Sequence, residues 1–271
     1  MSVPRGASQR EDGTRRRSCT LAARDLEVSV GARRLVKDLS VEFRPGEFVA
    51  VLGRNGSGKT LTLHTLAGLR RPQAGTVHLD GLPMESLSRR AVALRLGLLA
   101  QDVEESFVTT ALEAVLVGRH PHLKLWQWES AADERIARAA LTATDLDGFE
   151  ERRTDTLSGG ELRRVAVAAL LAQDPAVYLL DEPANHLDPA HLLGILGLFK
   201  ELSAAGKTVI ATLHDPTVAA RFADRALLLH GDGRWAAGSA AQLLTAARLS
   251  ELYLTPMLEV EKDGRRIFVS A

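Results

Sequence analysis

The sequence predicts an α/β fold in which a mostly parallel sheet is enclosed by helices. Three observations carry this expectation. The runs Phe48 to Leu52, Val177 to Leu180, Val209 to Leu213 and Ala226 to Leu229 are apolar without alternation, the pattern of strands buried on both faces. Helical patterns separate these runs along the chain, as parallel strands with helical crossovers require. The chain has 271 residues, of which 45% are hydrophobic, enough for a sizeable core.

In chain order, residues 1–19 form a basic tail. Arg5, Arg10, Arg15, Arg16 and Arg17 outnumber Glu11 and Asp12, and only Met1, Val3 and Ala7 are apolar before the cysteine, so the tail cannot fold alone. It lacks the apolar stretch of a secretory signal. From Thr20 onward short β-rich runs alternate with helical patterns, and residues 20–245 read as the folded domain. The segment Leu61 to Ala67 is a helix stopped by Gly68. Residues 89–156 read as a helical subdomain, with Ser130 and Asp133 spaced as a capping box before Ile136, Ala140 and Ala143. Residues 246–271 are a short extension: one more helix around Gln242 to Tyr253 and a strand-like end at Arg266 to Val269, too little for another domain.

Composition narrows the function classes. Basic and acidic residues number 34 each, so no global charge attracts nucleic acid or an anionic surface, and no nucleic-acid partner is expected. Cys19 is the single cysteine, which excludes an internal disulfide and a cysteine metal cluster. Val165 to Ala172, eight residues, is the longest uncharged apolar run, far below the roughly 18 residues of a spanning helix.

The chemistry begins at Gly53-Arg54-Asn55-Gly56-Ser57-Gly58-Lys59-Thr60, a GxxxxGK[ST] motif between a buried strand and a helix. Gly53, Gly56 and Gly58 permit positive φ and close backbone approach, so successive N–H groups of Asn55, Gly56, Ser57 and Gly58 can point at phosphate oxygens where the helix dipole favours negative charge. Lys59 is placed for the β and γ phosphates, and the Thr60 hydroxyl for Mg²⁺. Val177 to Leu180 then delivers Asp181 and Glu182 to a strand end. Successive residues of an extended chain point to opposite sides, so one carboxylate can serve the metal and the other an attacking water. Thr208 to Leu213 brings His214 to the same edge.

Leu157-Ser158-Gly159-Gly160-Glu161 opens an amphipathic helix with apolar positions Leu162, Val165, Ala166, Ala169 and Leu170. Ser158 and Glu161 have capping-box spacing. Two glycines in a first turn cost roughly 0.8 to 1 kcal/mol each relative to alanine, and bare N–H groups forming a second anion cradle account for them. One triphosphate already fills the first cradle, so the second suits a nucleotide held by another subunit.

With Gln101 and Asn185-His186-Leu187-Asp188, these motifs stand in the order of the ATP-binding cassette (ABC) family, which the chain resembles from about Thr20 to Leu244. The resemblance implies a P-loop NTPase of the ABC ATPase type, with an antiparallel N-terminal β region and a helical subdomain. It also implies a Mg²⁺-dependent ATPase working as a head-to-tail homodimer, with Ser158, Gly159 and Gly160 acting in trans, Gln101 near Mg²⁺, Asp181 on the metal, Glu182 as general base and His214 as γ-phosphate sensor. Two departures stand out: Glu161 replaces the commoner glutamine, and Val30 occupies the position of the usual adenine-stacking aromatic, which predicts weak discrimination of ATP from GTP.

Without membrane spans the chain looks like a separate subunit on the cytoplasmic face of a bacterial inner membrane, partnered by integral membrane permease subunits and indirectly by a periplasmic or extracellular substrate-binding protein. In the family the region of Val103 to Phe107 and Gly118 to Trp128 meets the permease. Its rings Phe107, Trp126 and Trp128 suit either an interface or the core of the helical stretch, and His120 and His122 lack a third metal ligand. Gly118-Arg119-His120-Pro121-His122, Leu170 to Asp174, Leu213-His214-Asp215 and Ala219 to Asp224 are similar to importer ATPases for iron-siderophores, haem and cobalamin. A corrinoid such as cobalamin is the first expectation for the cargo, a ferric siderophore or haem the next. A non-transport ABC ATPase and a nucleotide-gated scaffold are the alternatives; Lys59, Asp181, Glu182 and His214 together argue against a silent scaffold.

Overall fold

The computed structural model describes residues 19–101, 108–124, 126–183, 185 and 187–271. The basic tail apart from Cys19, the segment Val103 to Phe107, and His186 lie outside the described residues.

The chain opens with a hairpin of β1 (Leu21–Val30) and β2 (Arg33–Phe43), after which β3 (Phe48–Leu52) runs into α1 (Lys59–Leu66). Strands β4 (Ala74–Leu79) and β5 (Leu82–Pro83) are joined through Asp80 and Gly81, both at positive φ, the two-residue turn an Asp-Gly pair favours. Of these five strands, all but β3 form the antiparallel sheet β2-β1-β4-β5 expected at the N-terminus.

A correction falls in residues 89–156. After α2 (Arg89–Ala93) the chain forms β6 (Leu96–Leu99), a strand of the main sheet, and the helical layer begins only with α3 (Ala111–Leu116) and continues through α4 (Ala131–Ala143). Four residues of Leu-Gly-Leu-Leu carry no helical or strand period of their own. The backbone pairing of Leu96 to Leu99 with 177–180 makes them a strand. Ser130 caps α4 with the expected box, its hydroxyl accepting from Asp133 N while the Asp133 carboxylate accepts from Ser130 N.

Helix α5 (Gly159–Gln173) precedes β7 (Val177–Leu180), followed by α6 (Pro189–Ala204), β8 (Thr208–Thr212), α7 (Pro216–Phe222), β9 (Arg225–Leu229) and β10 (Trp235–Ser239). The six-stranded sheet has the order β10-β9-β3-β8-β7-β6, parallel except for β10 at its edge. The period of two decides what each face buries. Val49 and Val51 pack with the N-terminal sheet and α1, whereas Phe48, Ala50 and Leu52 pack with α6, α7 and the C-terminal helices. On that second face Tyr178 meets Phe199 edge to face at 5.5 Å.

The C-terminal extension also differs from expectation. The single helix is two, α8 (Ala240–Leu243) and α9 (Ala246–Tyr253), each capped by its own hydroxyl, Ser239 and Thr245. The strand-like end is one half of a hairpin of β11 (Met257–Lys262) and β12 (Arg265–Ser270), turned at Asp263 and Gly264 with both φ positive. It is fastened to the body by Phe268, buried in the core, and by Thr217, whose hydroxyl accepts from Phe268 N. No helix among the described residues is long and apolar enough to cross a membrane.

Candidate functional site

Four parallel strands end at one edge and each delivers an expected group: β3 the phosphate loop, β6 Gln101, β7 Asp181 and Glu182, β8 His214 one residue beyond Leu213. This is where open α/β sheets bind ligands. A cleft of about 550 Å³ lies there, lined by Val30, Arg33, Leu35, Asn55, Gly56, Gly58, Lys59, Thr60, Leu61, Gln101, Glu182 and His214. Gly56 and Gly58 both have positive φ, and a Cβ on Gly58 would press on Leu35. Gly53 stands behind the loop, where a Cβ would collide with the Leu229 carbonyl and the Ser57 hydroxyl. Any side chain at Gly53 would push Ser57 and the loop out of place.

Lys59 is 6% exposed, and its Nζ donates to the carbonyls of Gly53 at 2.9 Å and Arg54 at 3.3 Å, lying across the loop. Burial lowers its pKa, and the carboxylates of Glu182 and Asp181 pull it partly back. A tetra-anionic triphosphate is the kind of group that would repay this desolvated charge.

Asp181 is fully buried and does not line the cleft; its Oδ1 accepts from Thr212 Oγ1 at 2.7 Å, while Oδ2 has no hydrogen-bond partner. Ser57 Oγ is likewise buried and unsatisfied. Unpaired buried polar atoms are costly and call for a ligand or ion. The unpaired Asp181 oxygen behind the cleft, and the Thr60 hydroxyl and Gln101 amide that line it, are hard oxygens of the kind suited to Mg²⁺. The residues present therefore fit a metal-bound nucleotide.

Glu182 adopts φ +46°, a left-handed conformation unusual for a residue with a side chain. Its neighbours hold it there. Its N–H donates to Thr212 Oγ1 at 2.8 Å, Oε1 lies 2.5 Å from His214 Nε2, and Oε2 accepts from Asn185 Nδ2 at 2.5 Å. This left-handed turn, rather than the alternation of an extended chain, puts Glu182 in the lining of the cleft and leaves Asp181 buried behind it.

The second cradle stands apart. Ser158 caps α5 in a full box, its hydroxyl accepting from Glu161 N and its N–H donating to the Glu161 carboxylate at 2.7 Å, a bond that holds Glu161 below the usual carboxylate range. Ser158, Gly159 and Gly160 do not line the cleft, and Ser158 and Gly159 are exposed. Of the expected apolar positions of α5, Leu162 and Val165 pack in the helical layer and Ala166 and Leu170 in the sheet core, and the helix buries further residues on both sides: Ala168 and Ala172 in the helical layer and Val167 in the sheet core.

Sequence reasoning missed Thr212, which ties Asp181 to Glu182, and Arg163, which is buried beneath both. Arg163 lies four and seven residues before Val167 and Leu170, so helical spacing alone would have put it on the sheet-facing stripe. Outside the cleft, Trp126 and Trp128 are 92% and 85% exposed, which decides against a core role. His120 pairs with Glu129 and His122 Nε2 meets the Gln173 carbonyl; no cluster of three metal-ligating side chains exists among the described residues.

Comparison with known proteins defines the class. Residues 36–185 match the family model described as ABC transporter, and the chain belongs to that family, as one of its ATPases. It is 38% identical over 253 residues to a hemin import ATP-binding protein, HmuV, of Myxococcus xanthus, covering 90% of this chain and 94% of that protein. It is 36% identical to the ferric enterobactin transport ATP-binding protein FepC of Escherichia coli, covering 86% of each, and 35% identical to the achromobactin transport ATP-binding protein CbrD of Dickeya dadantii, covering 86% and 87%. Among solved structures, a metal-chelate type ABC transporter in an inward-facing conformation superposes with a TM-score of 0.80 at 26% identity, over 93% of this chain and 98% of that one. A dimeric cassette in a post-hydrolysis state bound to ADP and phosphate gives 0.70 at 28% identity, over 81% and 98%.

Proposed function

We propose that the chain powers import of a metal chelate by ATP-driven closure of a head-to-tail homodimer, on the cytoplasmic face of the inner membrane, together with permease subunits and a substrate-binding protein. The carrying observation is the Glu182 carboxylate held between His214 and Asn185 at the rim of the phosphate-loop cleft. In this reading the loop from Gly53 to Thr60 wraps the triphosphate and Lys59 neutralises it. Thr60, Gln101 and Asp181 hold Mg²⁺, which when bound neutralises phosphate charge. Glu182 takes the proton of the attacking water, and His214 fixes the carboxylate and senses the γ-phosphate. Ser158, Gly159 and Gly160 close over the nucleotide of a second copy, a role supported by their absence from the lining of this chain's own cleft.

The relatives' names point to ferric siderophores or haem as the cargo; cobalamin, a larger metal chelate, belongs in the same uptake assay. Arg90 Nε donates to the Pro121 carbonyl at 2.9 Å, tying α2 to the segment that leads to Trp126 and Trp128.

The trans arrangement is tested with mixed subunits. Ser158→Arg should bind ATP in its own cleft as wild type does yet fail to dimerise, because bulk and charge enter the shared interface. Pairing Ser158→Arg with Lys59→Ala leaves one intact composite site, so ATP-dependent dimers should reappear in size-exclusion chromatography. Their absence would count against closure in trans.

Nucleotide choice follows from the far end of the cleft. Val30 is 53% exposed, and with Leu35 it offers aliphatic surface, while Arg33 is tethered through Nη2 to the Gly231 carbonyl. Apolar surface discriminates weakly between isosteric groups, so kcat/KM for GTP should lie within about tenfold of that for ATP. A preference for ATP beyond about a thousandfold, the signature of a dedicated hydrogen-bonding site, would refute this.

A further inference from the structure

Arg163 occupies the junction between the two strand ends that carry Gln101 and Glu182. It is 2% exposed, on the sheet-facing side of α5. Its Nη2 donates to the carbonyls of Asp181 at 2.6 Å and Glu182 at 2.8 Å, its Nη1 to those of Ala100 and, at 3.2 Å, Gln101, and its Nε reaches the Pro183 carbonyl at 3.5 Å. One planar guanidinium thus spans residues 100–101 after β6 and 181–183 after β7. Between Leu96–Leu99 and Val177–Leu180 the ladder fixes the spacing of these strands. Beyond Leu99 and Leu180 the regular pairing ends, though Asp181 N still donates to the Leu99 carbonyl. Arg163 continues the connection to the residues that bear the chemistry.

We infer that Arg163 is a positioning residue for ATP hydrolysis, setting the Gln101 and Glu182 backbones relative to each other and linking them to the Ser158 end of α5. The first half rests on the five carbonyls. The Glu182 carbonyl that Arg163 grips belongs to the residue at φ +46°, whose peptide orientation determines where the carboxylate points. The second half rests on α5 itself and on the proposed dimer. Arg163 stands five residues from Ser158, so a shift of the cradle against a second copy's nucleotide is carried by a rigid helix to both strand ends. Lysine offers a point charge in place of this fork and cannot span both pairs of carbonyls.

The test compares Arg163→Gln and Arg163→Lys in the full chain, measuring kcat, KM for ATP and melting temperature. Misplacing reacting groups by 1 Å costs about 100-fold, and here the side chains are displaced through their backbone, so kcat of Arg163→Gln should fall about tenfold with KM within about twofold. Arg163→Lys should recover part of the loss. If Arg163→Gln does not fold, Arg163→Lys carries the test alone, its kcat falling several-fold at unchanged KM. A lowered melting temperature with wild-type kcat in the folded variant would make Arg163 a purely structural residue and overturn the proposal. ATP-dependent dimerisation of Glu182→Gln with and without Arg163→Lys separates this outcome from failure of the dimer reading. If Glu182→Gln alone does not dimerise, the trans arrangement fails, while the kcat comparison still decides whether Arg163 positions Gln101 and Glu182 within one chain.

Discussion

Glu182→Gln is expected to abolish turnover while preserving ATP binding and favouring a closed dimer. General-base assistance contributes typically 10² to 10⁴ in rate, and an amide cannot accept the proton of the attacking water. The substitution is conservative in the pocket. Glutamine can turn its oxygen toward Asn185 Nδ2 and its amide toward a His214 nitrogen acting as acceptor, so both contacts of the carboxylate keep a counterpart. Removing one negative charge beside the γ-phosphate also relieves repulsion in the ATP-bound state. Asp181→Asn should behave differently, because Asp181 is buried behind Glu182 with one unsatisfied oxygen: its effect should be a shifted Mg²⁺ dependence. Single-turnover hydrolysis and ATP-dependent dimerisation of the two variants distinguish them. Near-normal turnover in Glu182→Gln, with only its Mg²⁺ requirement altered, would reverse the division of roles.

What was legible in the sequence depended on whether a physical rule acts locally. A phosphate loop needs glycine at set positions and a lysine in the first turn, so Gly53 to Thr60 stood out in the sequence as the candidate. Buried parallel strands need unbroken apolar runs, and β3, β7, β8 and β9 supplied them. Strand β6 escaped because four residues carry no period, and its identity comes from a partner some 80 residues away. The C-terminal hairpin did carry a local signal, the Asp263-Gly264 pair, that the apolar pattern of Arg266 to Val269 overshadowed. Arg163 was hidden for a different reason. Arginine on a helix usually marks the solvent face, and only the assembled sheet shows that its stripe points at carbonyls left open beyond two strand ends.

Lys59→Ala should weaken ATP binding by about one to two decades, since a hydrogen bond to a charged group contributes roughly 1.5 to 3 kcal/mol. The free protein should survive the change. Lys59 pays for its burial with a lowered pKa, so removing it deletes a desolvated cation along with two carbonyl contacts, to Gly53 and Arg54, and these effects offset each other. The loss should therefore appear in the nucleotide-dependent part of the melting temperature. At ATP about 100 times the wild-type Kd, binding stabilises the fold by about 2.7 kcal/mol; a tenfold weaker Kd leaves about 1.4 and a hundredfold weaker one about 0.4. Thermal melts with and without ATP, run beside a direct binding titration, read both quantities on one sample. A variant with full nucleotide-induced stabilisation and wild-type hydrolysis would place the triphosphate elsewhere, because no other cation in the loop's first helical turn could replace a lysine already lying across the Gly53 and Arg54 carbonyls.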